Sequence, residues 1–252
     1  MSHRPHLPGV IAAWVPLLAI TLMPALAHAQ SVSIDLGGAG APGATARLVQ
    51  LTALITLLSL APSLLVMVTA FTRIIIVLSL LRSALGTQSV PPNTVLVGLA
   101  LFLTWFVMQP VFNESWTHGL MPMMQGKLGD LDGLRLAAEP FRGFMVHNLR
   151  PADLQLFLNL AHLPHPTLPA DTPWRALIPA FMIGELRRAF EMGFLLFLPF
   201  LVIDIVISSV LMSLGMMMLP PTAVSLPFKI IFFVLVDGWS LVSGSLVESF
   251  LK

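Results

Sequence analysis

The feature that most limits the fold is an apolar run of 34 residues, Leu48 to Leu81, interrupted by one charge, Arg73, and one proline, Pro62. At ~1.5 Å per residue a straight helix of that length would reach about 51 Å, well beyond a hydrocarbon core of ~30 Å. The run must therefore kink at Pro62, break into two pieces, or protrude from the apolar layer. Three more apolar stretches follow: Thr94 to Phe112, Met192 to Leu219 with Pro199 and Asp204 inside it, and Ile230 to Phe250 with Asp237-Gly238 and Glu248. The whole chain matches this pattern. Hydrophobic residues make up 56% and charged residues 10%, against roughly 25% charged in a globular protein, and mean hydropathy is +0.89. Lipid or other apolar helices are the natural surroundings of such a chain, which rules out a soluble enzyme. A net charge of +1 implies no polyanion-binding surface, so no nucleic-acid partner is expected. There is no cysteine, which removes disulfides, zinc-thiolate sites and thiol nucleophiles together.

The organisation expected from these runs has five parts. Residues 1–29 read as a signal peptide: Arg4 supplies the charged start, Val10 to Leu26 is almost wholly apolar, and Ala27-His28-Ala29 offers cleavage between Ala29 and Gln30. An uncleaved first membrane helix is the other reading, and Pro16 and Pro24 speak against it. Residues 30–47 form a Gly/Ala/Ser-rich, flexible tail. A first apolar helical hairpin spans 48–112, a polar helical region 113–189, and a second apolar hairpin 190–252. A cleaved signal would put the polar region on the periplasmic side, although Arg175, Arg187 and Arg188 abut the third stretch there. Nothing reads as strand, so the fold class is all-α: a multi-helix integral membrane protein with about four long apolar segments.

Charges inside apolar runs are the first candidates for function, because a central Arg or Asp costs ~2.5–3.5 kcal/mol on insertion scales. Arg73, Asp204 and Asp237 qualify, with Lys229 and Glu191 at segment edges. They form either a proton or ion relay or ion pairs that fix assembly or gating. Pairing is favoured, since Arg73 and Lys229 are available as partners. Glu185 and Arg188, three residues apart, read most simply as an ion pair on a helix surface.

Met216-Met217-Met218, with Met212 before and Pro220-Pro221 after, is the second candidate. Thioethers are flexible and polarisable, so they fill irregular gaps. Ordinary filling at a helix end is one reading. Three consecutive methionines cannot share a helical face, because neighbours lie ~100° apart. A loop dipping into a protein-lined space, forming a compliant plug around a symmetry axis, is the other. His162 and His165 are separated by Pro164, so no metal site and no cofactor is expected. HExxH, GxSxG and P-loop patterns are absent, so no enzyme is expected either. Ser240 and Gly244 permit close helix approach and favour assembly weakly.

The stretch TAFTRIIIVLSLLRSALGTQSVPPNTVLVGLALFLTWFVMQPVF at 69–112 closely resembles the FliP family of flagellar biosynthetic proteins. So do FRGFM at 141–145, LIPAFMIGEL at 177–186, FLPFLVIDIVISSVLMSLGMMMLPP at 197–221 and SLPFKIIFFVLVDGW at 225–239. These blocks stand in the family's order and cover the chain from about residue 48 onwards. The pattern departs at Ile183-Gly184, where the family leads one to expect Ser or Thr beside the acid. The resemblance implies a pore-forming core subunit of the flagellar type III export gate in the bacterial inner membrane and basal body. It implies a homo-oligomer, pentamer-like, with FliQ, FliR and FlhB as partners. Unfolded rod, hook and filament subunits would pass through its channel. It also implies that Met216, Met217 and Met218 form a gasket, and that many apolar faces meet protein rather than lipid. The equivalent subunit of a virulence secretion system (the SctR/YscR group) and a proton-coupled solute transporter using Asp204 and Asp237 are the alternatives. A cleavable signal suits the flagellar family better than the virulence group.

Overall fold

The computed structural model describes residues 44–87, 89–164, 166, 171–216 and 218–251. The expected signal peptide, its Ala29–Gln30 cleavage site and most of the Gly/Ala-rich tail lie outside these residues. The chain divides into two compact units, residues 1–55 and residues 56–252. In the first, the described residues are the opening turns of helix α1 (Ala44–Val68), with Val49 and Ile55 exposed. The description below concerns the second unit. It is all-helical among the described residues.

The long first run is indeed broken, but not at its proline. Pro62 sits inside α1, and the break comes at Thr69-Ala70, before α2 (Phe71–Leu85). Hydroxyl groups explain the position. Thr69 Oγ1 donates to the carbonyl of Leu65 at 2.7 Å and Thr72 Oγ1 to that of Val66 at 2.9 Å. These are carbonyls that a helix end leaves without intrahelical partners.

Helix α2 is the centre of the unit. Ile74, Val77, Leu78 and Leu81 are buried, and they pack with Leu96, Ala100, Leu103 and Met108 of α3 (Asn93–Ser115). Phe233 of α8 (Pro221–Leu235) and Leu246 and Phe250 of α9 (Gly238–Leu251) join the same core. Helix α7 (Trp174–Ser213, 40 residues) crosses it, supplying Ala189 and Phe200. Gly193 of α7 makes the approach to α2 possible, because a Cβ there would collide with Leu80.

Helix α3 continues through a π-helical turn, Trp116–Leu120, into a short α4 (Met121–Met124). Gly119 in that turn lies against the backbone of Ala137 in α5 (Asp130–Asn148), and Ser115 Oγ donates to the Ala137 carbonyl at 2.7 Å. A smaller core joins Met145 of α5 to Leu177 and Phe181 of α7. Helix α6 (Pro151–Leu160) also packs on α7.

Among the described residues, two helices are long and apolar enough to cross a membrane: residues Asn93–Met124, and α7. The pair α8 and α9 would count as a third span only as a bent one, since it turns by 64° between them. Helix α7 is also longer than the apolar stretch that predicts it. It begins at Trp174 and runs without interruption past residue 189, from the polar region into the apolar one. At ~1.5 Å per residue its 40 residues span about 60 Å, twice a hydrocarbon core. Large apolar side chains remain exposed along α3 (Phe102, Trp105, Phe106) and α7 (Phe194, Leu195, Val202, Ile205).

Candidate functional site: two ion pairs and a methionine connection

The residues singled out in the sequence fall at three places. At the first, Arg73 on α2 is buried in the main core and forms a two-pronged pair with Glu185 of α7. Nε donates to Glu185 Oε2 at 2.8 Å, and Nη2 donates to Oε1. Nη1 donates to the carbonyl and the hydroxyl of Ser249 on α9, at 3.1 and 2.9 Å. The Phe250 ring lies 3.7 Å from the guanidinium carbon, close enough for a cation–π contact. The planar fork of arginine suits such a bidentate site, and a lysine would not replace it. Glu185 is therefore not the surface partner of Arg188 that its spacing predicts. It is completely buried and answers a cation 112 residues away. One signal for this was present in the sequence: an acid following the apolar LIPAFMIG needs a buried cation.

At the second place, Asp204 of α7 meets two residues one turn apart on α8. Ser225 Oγ donates to Asp204 Oδ1 at 2.6 Å, and Lys229 Nζ donates to Oδ2 at 2.7 Å. Lys229 also donates to the Ala84 carbonyl, in the last turn of α2, at 3.1 Å. The carboxylate is thus held by a cation and a hydroxyl.

Asp237 belongs to neither cluster. It sits exposed in the break between α8 and α9 with φ of 49°, a left-handed conformation that Asp tolerates better than most residues. The next residue must be small, because a Cβ on Gly238 would run into the Phe233 ring. Asp237-Gly238 thus sets the bend.

The third place is the connection between α7 and α8. Helix α7 stops at Ser213, Gly215 takes φ of 73°, and α8 starts at Pro221. Met216 and Met218 lie in this non-helical connection, 43% and 98% exposed; Met217 lies outside the described residues. Among the described residues, no three His, Asp or Glu side chains come together as a metal site.

Long exposed apolar helices, charges paired inside the helical packing and a loop of bare methionines define an all-helical membrane protein. The comparisons make this specific. Residues 54–246 match the FliP family. The flagellar biosynthetic protein FliP of Caulobacter vibrioides is 56% identical over 249 residues, covering 98% of this chain and 91% of that protein. FliP of Rhizobium meliloti is 47% identical, covering 93% and 97%, and FliP of Bacillus subtilis 52%, covering 80% and 91%. This chain belongs to the FliP family.

Proposed function

We propose that this chain is a pore-forming core subunit of the flagellar type III export gate, conducting unfolded rod, hook and filament subunits across the bacterial inner membrane. Family membership makes it a component of flagellar export; the pore is our own step. The observation that carries it is the methionine connection. Met216 and Met218 stand outside any helix and exposed, at the end of a 40-residue helix whose apolar faces are also uncovered. A single chain gains nothing from displaying flexible thioethers to solvent. A ring of copies would bring them together into a compliant seal, since thioethers repack around whatever fills the gap.

In this reading the chain is a homo-oligomer, pentamer-like, that binds FliQ- and FliR-like chains and, at its base, an FlhB-like one. It resides in the basal body, with a cleaved signal and residues 113–189 on the periplasmic side. Its work is a change of packing, not bond chemistry. The transporter alternative loses its main support, because Asp204 is engaged by Lys229 and Ser225 and Asp237 serves a turn.

Replacing Met216, Met217 and Met218 together by glycine tests the seal. The complex with the FliQ- and FliR-like chains should keep its mass in native mass spectrometry, while cells carrying it leak small ions. Intact assembly with wild-type ion permeability would refute the seal. A chain that stays monomeric with its partners present would refute the gate altogether.

A further inference from the structure

The Lys229 cluster lies where two connections meet. Helix α2 ends at Gly86, with φ of 80°, and its last carbonyls are satisfied one by one. That of Arg82 accepts from Thr87 Oγ1 at 3.3 Å, that of Ser83 from the Gly86 N–H at 3.1 Å, and that of Ala84 from Lys229 Nζ. A cation at this point also meets the negative end of the α2 dipole. A Cβ on Gly86 would lie 3.9 Å from Nζ, so the turn and the ammonium share one corner. Beyond Gly86 opens a cavity of about 800 Å³, lined on one side by Ser83, Thr87 and Ser89 and on the other by Pro220, Thr222 and Leu226. Pro220 is also the end of the methionine connection. The end of α2 and the start of α8 therefore flank one cavity, and Lys229, two turns into α8, ties both to α7 through Asp204.

We propose that Lys229 is the positioning residue of the methionine connection. Through Asp204 it sets the register of α7 against α8, and through the Ala84 carbonyl it fixes both to the end of α2. The two connections then move as one body, and the methionines stand at a level fixed from outside their own loop. Ser225, one turn before Lys229, holds the second oxygen of Asp204, so sliding α8 along α7 would break both bonds at once. The link to ion sealing rests on the seal proposed above; the positional role does not.

The test uses the absence of cysteine from the chain. Ser89→Cys and Thr222→Cys, both on the cavity wall, carry nitroxide labels. Labelled copies are diluted into unlabelled chain in the complex with the FliQ- and FliR-like partners. Electron spin resonance then reads the distance distribution while ion leak is measured on the same variants. The parent and Lys229→Arg should show one narrow distribution, since arginine keeps charge and reach. Lys229→Met should broaden it and raise leak severalfold, with the mass of the complex unchanged. A Lys229→Met complex with the parent's distribution overturns the positional role, whatever its leak. Should Lys229→Met fail to assemble, Asp204→Ala, which leaves Lys229 without its acceptor on α7, replaces it, and there too an unbroadened distribution overturns the proposal. Broadening without leak upholds the positional role and refutes only its link to ion sealing.

Discussion

Two ion pairs fasten α7 to its neighbours, Arg73–Glu185 to α2 and Asp204–Lys229 to α8, and they sit in different surroundings. The Arg73 and Glu185 side chains are 1% and 0% exposed, with Phe250 stacked on the guanidinium and Ser249 taking its remaining bonds. Lys229 and Asp204 are 5% and 25% exposed, and their additional partners are a hydroxyl and a helix-end carbonyl. An enclosed pair cannot part without leaving a bare charge in apolar surroundings, which is why such pairs are costly to break even when they add little net stability. A pair at the edge can exchange a partner for water. The first therefore behaves as a fastening inside the core, and the second as a partly exposed tie between α7 and α8.

Breaking the enclosed pair should do the most damage. Glu185→Ala strands the Arg73 guanidinium and should lower the unfolding free energy by about 3–5 kcal/mol. The change would appear as an earlier transition in detergent unfolding followed by tryptophan fluorescence. The close approach that carries this pair comes next. Gly193→Val drives a side chain into Leu80 and should cost about 1–3 kcal/mol in the same assay. Asp204→Asn sharpens the contrast, because Lys229 keeps the Ala84 carbonyl and an amide oxygen. Its loss should be nearer 1.5 kcal/mol, the value of a hydrogen bond to a charged group. A loss as large as that of Glu185→Ala would erase the distinction between the two pairs.

The smallest effect is a gain. Asp153 of α6 is buried, bonded only weakly to Arg187 at 3.5 Å, and its Oδ2 has no hydrogen-bond partner. A Cβ on Gly184 would lie 3.6 Å from that oxygen, so Gly184→Ser brings a hydroxyl within reach. It should raise stability by up to about 1 kcal/mol, from the new bond and from better helix propensity. Asp153→Ala in the same background, compared with Asp153→Ala alone, should remove the hydrogen-bond share of the gain, and full persistence would show that propensity alone was responsible.

Much of this could be read directly from the residues. The all-α class follows from long apolar runs without strand alternation. At the methionines the residues leave a helix end and a loop both open, and the structure ends α7 at Ser213, before them. The pairing of Lys229 follows from the cost of a lone charge among apolar residues. What could not be read was the break at Thr69-Ala70, because Pro62 is the stronger local signal and the hydroxyl bonds that close α1 appear only once the chain has turned. The reach of α7 back to Trp174 was also hidden. Its first turns carry Arg175, Glu185, Arg187 and Arg188, and hydropathy reads them as the end of a polar region. Glu185 was the clearest miss. A spacing of three residues suggested a surface partner, while the burial of its whole face decided otherwise.

The sequence by itself therefore determined what is local: which segments must leave water, where helices cannot continue, and which charges need a partner. Tertiary structure alone decided who the partners are. Arg73 and Glu185 are 112 residues apart, and Asp204 and Lys229 are 25. Coulomb attraction and hydrogen bonding act over a few ångströms of space, whatever the separation along the chain. Those contacts are fixed by how α2, α7, α8 and α9 pack, and the packing encloses one charged pair in the core and leaves the other partly exposed between α7 and α8.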